Sequence, residues 1–344
     1  MSKYKIIIAE GNRQSMYINR FEDIKKELLT DEFECLCLDV PDEIGMLKHI
    51  EDVDALIVSP GMTVSEKSIK KLKKCKCVVS LAVGYDNIDI KLAGENGIAV
   101  ANVPDYGTEE VADVAMAFIL SLSRKINYYN DNLKEAHSKW NWRLGIPIHR
   151  LRSRALGIVG LGRIGTAVAL RSKVFGFDVL FCDPHKEDGY DKALGIKRVN
   201  GLKNLLKESD IVTIHTPLTS ETKGMINKDF LSLMKKGAIL VNTARGPIFE
   251  SLDIIEWALK NNIIQAVATD VLPQEPPDEN HSLIKSWRSN EEWIKGRLII
   301  SPHAAFYSEE AGFDLCCKAV IAARDAVLGK QPRNIVNKEF LKGE

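Results

Sequence analysis

No part of the 344-residue chain constrains its fold more than Ala155-Leu156-Gly157-Ile158-Val159-Gly160-Leu161-Gly162-Arg163-Ile164-Gly165. An apolar run leads directly into Gly-x-Gly-x-x-Gly. Thr166 to Phe175 then shows helical spacing, and Phe177 to Asp183 reads as a second strand ending on an acid. Strand, glycine turn, helix, strand and acid, in that order, is what a dinucleotide site needs. Gly160 is expected to permit the sharp turn, Gly162 to let the backbone approach a pyrophosphate, and Gly165 to let helix and strand pack closely. Free N–H groups at the helix start, with the helix dipole, would hold the phosphate charge.

Three spaced glycines alone are a weak signal, and their context carries the argument. Asp183 stands 18 residues past Gly165, where the ribose-binding acid is expected. A carboxylate there can accept from the ribose hydroxyls and would repel a 2′-phosphate. At ~4 Å and an effective dielectric near ~20, each like-charge pair costs up to ~4 kcal/mol, less when solvent screens it. That favours NAD over NADP, although Lys186 nearby softens the preference.

The length suits two domains. Forty-seven basic residues balance 47 acidic ones, so no basic field exists to concentrate nucleic acid. There is no ~20-residue apolar span and no signal peptide, and Met1-Ser2-Lys3-Tyr4 runs straight into the strand-like Lys5–Ala9. A soluble cytoplasmic protein without nucleic-acid or membrane partners is expected. Cys35/Cys37 and Cys75/Cys77 form Cys-x-Cys pairs that would point to one face of a strand. They read either as a metal site or as buried small residues, as does Cys316-Cys317, and the expectation is no metal.

Strand-like runs at Ile6–Ala9, Ala55–Val58, Val78–Ala82 and Ile98–Val103 alternate with helical Phe21–Leu29 and Ser65–Lys74. A long helix is expected from Thr108, with Val111, Val114, Ala115, Phe118, Ile119 and Leu122 at helical spacing, followed by an aromatic piece with Trp140 and Trp142. Further strands are expected at Ile211–His215, Ala238–Thr243, Ile264–Val271 and Leu298–Ser301, and a last helix over about Glu309 to Leu328. This alternation predicts an α/β chain of parallel sheets, two units with a cofactor between them.

Three motifs stand at predicted strand ends: Val241 to Pro247, Asp270 to Pro276, and Ser301 to Ala305. Carboxyl ends of parallel strands are where α/β folds place ligands, so Arg245, Glu275 and His303 could converge. Hydride transfer between nicotinamide and a carbonyl requires a proton at the oxygen, which histidine can supply. A carboxylate beside it stabilises the imidazolium, and arginine offers paired donors to a substrate carboxylate. The three together point to a 2-oxo acid reduced to a 2-hydroxy acid. Taken singly they could be a surface ion pair, a loop acid and a capping histidine. His215 is read as lining the cofactor without chemistry, and His49, His137, His149, His185 and His281 as surface or packing residues with no evident partners.

With Gly84-Tyr85-Asp86-Asn87-Ile88-Asp89, these motifs resemble the D-isomer-specific 2-hydroxyacid dehydrogenases over nearly the whole chain. The resemblance implies two Rossmann-like, doubly wound parallel sheets: a discontinuous flavodoxin-like substrate domain over 1–103 and 305–344, and a dinucleotide-binding domain over 104–304. It implies that Arg245 binds the substrate carboxylate and that His303 is the acid/base, with Glu275 as its partner. Gly160, Gly162, Arg163, Ile164, Asp183, His215, Pro217, Thr243, Ala244 and Asp270 would contact NAD. Val83, Gly84, Tyr85 and Phe306 would contact the substrate, and a homodimer would form through the helix starting near Thr108.

The run Pro302 to Glu309 looks closest to the C-terminal-binding protein branch, which includes corepressors and bacterial dehydrogenase relatives. Two functions are therefore carried: an NAD-dependent enzyme making a D-2-hydroxy acid, and an NAD(H)-sensing dimeric co-regulator with weak dehydrogenase activity. Phe306, where the corepressors carry tryptophan, and the lack of a long disordered tail favour the enzyme. Val58-Ser59-Pro60-Gly61 has no basic residue, which argues against phosphoglycerate. Pro276 to Gly296, with Trp287 and Trp293, would flank the active site or a subunit contact, or form a surface loop with packed tryptophans.

Overall fold

Short, fully buried apolar runs are what a parallel sheet asks of its strands, and the computed structural model, which describes residues 4–11, 18–135 and 140–341, has two such sheets. Met1, Ser2, Lys3 and His137 lie outside the described residues. The chain divides into one unit of 1–107 with 307–344 and a second of 108–306. The changeovers fall four and two residues beyond the expected 103 and 304. Local bonding explains both. Asp105 pairs with Lys318 of the first unit, while Ala304 and Ala305 donate to Asp270 of the second.

In the first unit, strands β1 (Tyr4–Glu10), β2 (Phe33–Asp39), β3 (Ala55–Val58), β4 (Cys77–Ser80) and β5 (Ala99–Asn102) form a parallel sheet of order β2-β1-β3-β4-β5. This is the flavodoxin-like order. Ile6, Ile8, Ile57 and Val79 pack against Phe21 and Ile24 on one helix and Leu315 and Ala319 on another. On the opposite face Ile7, Leu56 and Val78 meet Met46, Ile50 and Leu72. Strand β2 was not expected. It is an edge strand with three of its seven positions exposed, so polar residues interrupt its apolar pattern. The expected helix over Ser65–Lys74 is a single turn, Glu66–Ile69.

The second unit carries β6 (Ala155–Val159), β7 (Asp178–Cys182), β8 (Lys197–Arg198), β9 (Ile211–Ile214), β10 (Ile239–Asn242), β11 (Ala266–Thr269) and β12 (Leu298–Ile300). Their order is β12-β11-β10-β9-β6-β7-β8, all parallel. The chain reverses its direction of winding between β6 and β9, and the carboxyl ends of strands flanking such a switch point form a ligand crevice. Helix Thr108–Arg124 buries Ala112, Ala115, Met116 and Ile119 against Ile158 and Val168. The segment after Pro276 forms helix Ser282–Arg288, with Leu283 and Ile284 buried and Trp287 and Trp293 packed on the core. No described helix is long and apolar enough to cross a membrane.

All seven cysteines are free. Cys75 and Cys77 are buried, Cys35 and Cys37 half-buried, and burial pushes the Cys35 and Cys75 thiols up to about 12. They are protonated packing groups.

Candidate active site

The glycine turn joins β6 to helix Arg163–Val174. Gly160 has φ +89°, and a Cβ there would lie 2.8 Å from the His215 carbonyl oxygen. A Cβ on Gly165 would lie 2.2 Å from the Gly160 oxygen, whereas one on Gly162 would meet nothing within 4 Å. Two glycines are thus required by the chain's own packing, and the third faces open space. Gly162 starts the helix with no side-chain cap, so the first helical N–H groups, at Arg163 and Ile164, are left for an anion.

Asp183, just past β7, is fixed against this turn. One carboxylate oxygen accepts from Leu161 N–H at 2.8 Å and the other from His185 N–H at 2.9 Å. Lys186 is turned away, its ammonium 4.6 Å from the Tyr190 ring centre. Arg198 on β8, a residue the sequence did not single out, straps the loop. Its guanidinium donates to the carbonyls of Lys186 and Glu187 at 3.0 and 2.5 Å and lies 5.0 Å from the Phe181 ring centre.

His215 follows β9, its Nε2 2.9 Å from Thr213 Oγ1. Desolvation pushes its pKa down to about 3, so the ring is neutral at pH 7. The Pro217 carbonyl accepts from the Thr222 hydroxyl at 2.6 Å. The buried hydroxyls of Thr216 and Thr243 have no partner among the described residues. An uncapped helix start, open space at Gly162, a positioned acid and two orphan hydroxyls fit a bound dinucleotide.

Beyond β10, buried Asn242 accepts from Ala244 N–H at 3.0 Å and donates to the Arg245 carbonyl at 3.1 Å, shaping the Thr243–Arg245 turn. The Arg245 guanidinium donates to the Ala244 carbonyl at 2.8 Å. A Cβ on Gly246 would lie 1.8 Å from the Leu272 carbonyl oxygen, so the turn after β10 lies against the turn after β11.

That second turn carries Glu275. Its Oε1 accepts from Leu272 N–H at 2.9 Å and its Oε2 lies 2.7 Å from His303 Nδ1. A carboxylate on Nδ1 places the hydrogen there and leaves Nε2 for exchange with a substrate. His303 adopts φ +55°, the left-handed region that costs a non-glycine residue roughly 1–3 kcal/mol. Asp270 compensates: it accepts from the Ser301 hydroxyl and from the Ala304 and Ala305 N–H groups. Phe306 packs edge-on to the His303 ring at 6.5 Å. The structure therefore brings Glu275, His303, Phe306 and Asp270 together in the second unit. Val83, Gly84 and Tyr85 stand in the first unit, in the loop after β4.

His281, expected to lack partners, has two. Its Nδ1 accepts from Leu283 N–H and its Nε2 lies 3.1 Å from Asp253. With Glu256 these are the only described residues grouped closely enough to hold a metal. Glu256 already accepts from Lys260 and Ser282 at 2.6 and 2.5 Å, and the Leu283 bond puts the imidazole proton on Nε2. The cluster is a satisfied helix junction.

Residues 116–305 match the NAD-binding domain of the D-isomer specific 2-hydroxyacid dehydrogenases. A glyoxylate reductase of Korarchaeum cryptofilum is 35% identical over 309 residues, 88% of each chain. A D-3-phosphoglycerate dehydrogenase of Methanocaldococcus jannaschii is 34% identical over 85% of this chain and 53% of its own, so this chain spans about half of that relative. The structure of D-lactate dehydrogenase from Aquifex aeolicus, complexed with NAD and lactic acid, matches with TM-score 0.78 at 26% identity, covering 96% of this chain and 99% of that one.

Proposed function

This chain belongs to the D-isomer-specific 2-hydroxyacid dehydrogenase family and is an NAD-dependent enzyme, and on that premise we propose that it reduces a small 2-oxo acid to the D-2-hydroxy acid, with His303, Glu275 and Arg245 as its catalytic residues. The observation that carries this reading is the 2.7 Å pair of His303 and Glu275 on a loop locked by Asp270. The first unit is the substrate-binding domain and the second the NAD-binding domain.

NADH, when bound at the glycine turn, supplies the hydride. Arg245 presents parallel N–H donors to the substrate carboxylate and thereby orients the 2-oxo group. His303 Nε2 gives its proton to the carbonyl oxygen as negative charge develops there, and takes it back in the oxidative direction. Glu275 holds the ring orientation and stabilises the imidazolium. Asp183 would hold the ribose hydroxyls, and the helix start at Gly162 to Ile164 would hold the pyrophosphate. Thr243, Ala244, His215, Pro217 and Asp270 form the remaining wall, with His215 kept neutral.

Two observations support a small, unphosphorylated substrate. Val58 to Gly61 offers no cation to a phosphate. The glyoxylate reductase and D-lactate dehydrogenase relatives are named for two- and three-carbon acids. The protein acts as a homodimer. Trp140 and Trp142 are 92% and 69% exposed in a run that also exposes Leu144 and Ile146, and a second copy would cover them. Seven free cysteines support a reducing, cytoplasmic setting.

The test is NADH oxidation against 2-oxo acids from glyoxylate to branched and aromatic members, with chiral analysis of the product. Fast turnover is expected on a two- or three-carbon acid, giving the D-isomer where the product is chiral. No turnover on any member would overturn the reading.

A further inference from the structure

We propose that Thr269 is a positioning residue for the Glu275–His303 pair, its buried hydroxyl acting through Val271 and Leu272; this rests on the enzyme reading above. Thr269 ends β11, is fully buried and follows the apolar run Ala266-Val267-Ala268. A valine of the same shape would fill that space, and a hydroxyl there costs desolvation unless it is bonded. Its bonds are local and directed. Thr269 Oγ1 donates to the Val271 carbonyl at 2.6 Å and accepts from Val271 N–H at 3.3 Å. The Asn242 carbonyl, 3.2 Å away, is the weaker second acceptor for its single proton. No other described residue bonds either polar group of the Val271 main chain.

A trans peptide is planar, with its C=O and the next residue's N–H pointing opposite ways. Holding the Val271 carbonyl therefore aims the Leu272 N–H away from Thr269, and that N–H donates to Glu275 Oε1 at 2.9 Å. The other carboxylate oxygen, Oε2, lies 2.7 Å from His303 Nδ1. The relay runs from hydroxyl to peptide to carboxylate to imidazole. The main chain of the same residue serves the other partner: the Thr269 carbonyl accepts from Ser301 N–H at 3.0 Å, two residues before His303. Thr269 thus stands at the root of both loops, and its side chain governs the Glu275 side. Without the hydroxyl the Val271 peptide loses both bonds and is no longer held against rotation, which would carry the Leu272 donor away from Glu275. A carboxylate without that donor holds the imidazole less firmly, and an error near ~1 Å in placing a catalytic group is costly to the rate.

The test compares Thr269→Val, which keeps the shape and removes the hydroxyl, with Thr269→Ser, which keeps the hydroxyl and removes a methyl. For Thr269→Val we expect kcat on the best 2-oxo acid to fall about tenfold, while KM for NADH stays within about twofold. Thr269→Ser should keep kcat within about twofold. A packing role alone predicts the reverse order, since only serine leaves a void. Thr269→Ala, which lacks both groups, should lose kcat as Thr269→Val does and so tests the hydroxyl in a second background. Normal kcat in Thr269→Val, or equal losses in the valine and serine variants, would overturn the proposal. A second readout needs no turnover: in the crystal structure of Thr269→Val, Glu275 Oε2 and His303 Nδ1 should part beyond about 3.5 Å. A parted pair, with no turnover of any 2-oxo acid by the unaltered protein, would keep the role of Thr269 and reject the enzyme reading. Turnover by the unaltered protein, with the pair intact in Thr269→Val, would keep the enzyme and reject the role of Thr269.

Discussion

The backbone N–H of His303 donates to the Asp270 carbonyl at 2.7 Å, and the Asp270 carboxylate then accepts from the next two N–H groups, Ala304 and Ala305, at 2.9 Å each. One buried acid thus ties three successive residues and holds His303 at a positive φ that few side chains adopt unaided. Asp270→Ala should release the loop, misplace the imidazole and lower kcat by about 10–100-fold. A variant with normal kcat and only a lowered melting temperature would show that the loop holds itself.

His303→Ala removes the group proposed to exchange the proton. We expect kcat to fall by ~10²–10⁴-fold with little change in NADH affinity. Glu275→Gln keeps the side-chain shape but not the charge proposed to stabilise the imidazolium, and should cost less than the histidine change. Steady-state kinetics of both variants, with NADH binding followed by fluorescence, check the assignment. Near-normal turnover in His303→Ala would remove it from the mechanism.

The glycines of the turn separate folding from binding. Gly162→Ala meets nothing within 4 Å and should fold with a wild-type melting temperature, yet bind NADH at least tenfold more weakly. Gly165→Ala would place a methyl 2.2 Å from the Gly160 oxygen and should lower stability by a few kcal/mol. Thermal melts beside NADH titrations distinguish the two. Equal melting losses would mean that Gly162 is also a packing residue.

On the proposed reading, Asp183 would set cofactor choice through charge. Asp183→Ser should raise KM for NADH about tenfold or more and improve use of NADPH relative to NADH, since the repulsion of a 2′-phosphate is gone. Arg198→Met should also raise KM for NADH, by loosening the loop behind Asp183, without changing the preference between cofactors. The ratio of kcat/KM values for the two cofactors decides between these roles.

Glu10 ends β1 at 4% exposure with neither oxygen bonded among the described residues. Burial, with Asp39 nearby, raises its pKa from 4.5 to about 7. Between those values the folded state holds a proton that the unfolded state has released. Stability therefore falls as pH rises through this window, by up to roughly 3 kcal/mol, and levels off above it. Glu10→Gln should match the wild type near pH 4.5 and exceed it at pH 8 in urea unfolding. Equal midpoints at both pH values would remove Glu10 as the source.

Much of the fold was legible because parallel strands buried on both faces read as bare apolar runs. Ala55–Val58 and Ile211–Ile214 are examples, expected to within a residue. Edge strand β2, partly exposed, lacked that signal, as did the two-residue β8. The loop that carries Asp183 was visible from the spacing to Gly165. The strap that Arg198 puts on it was not, because nothing in a lone arginine 15 residues downstream indicates which carbonyls it will meet.

By itself the sequence determined the fold class, the glycine turn and the residue types offered for hydride and proton chemistry, since these depend on local spacing and on periodicity along the strand or helix. Only the tertiary structure decided that Glu275 lies 2.7 Å from His303, that Asp270 spends its carboxylate on the following loop, and that His281 belongs to a helix junction. Those relations join residues some 30 positions apart. Their geometry is set by strand order and by which turn rests against which, and a one-dimensional pattern does not contain either.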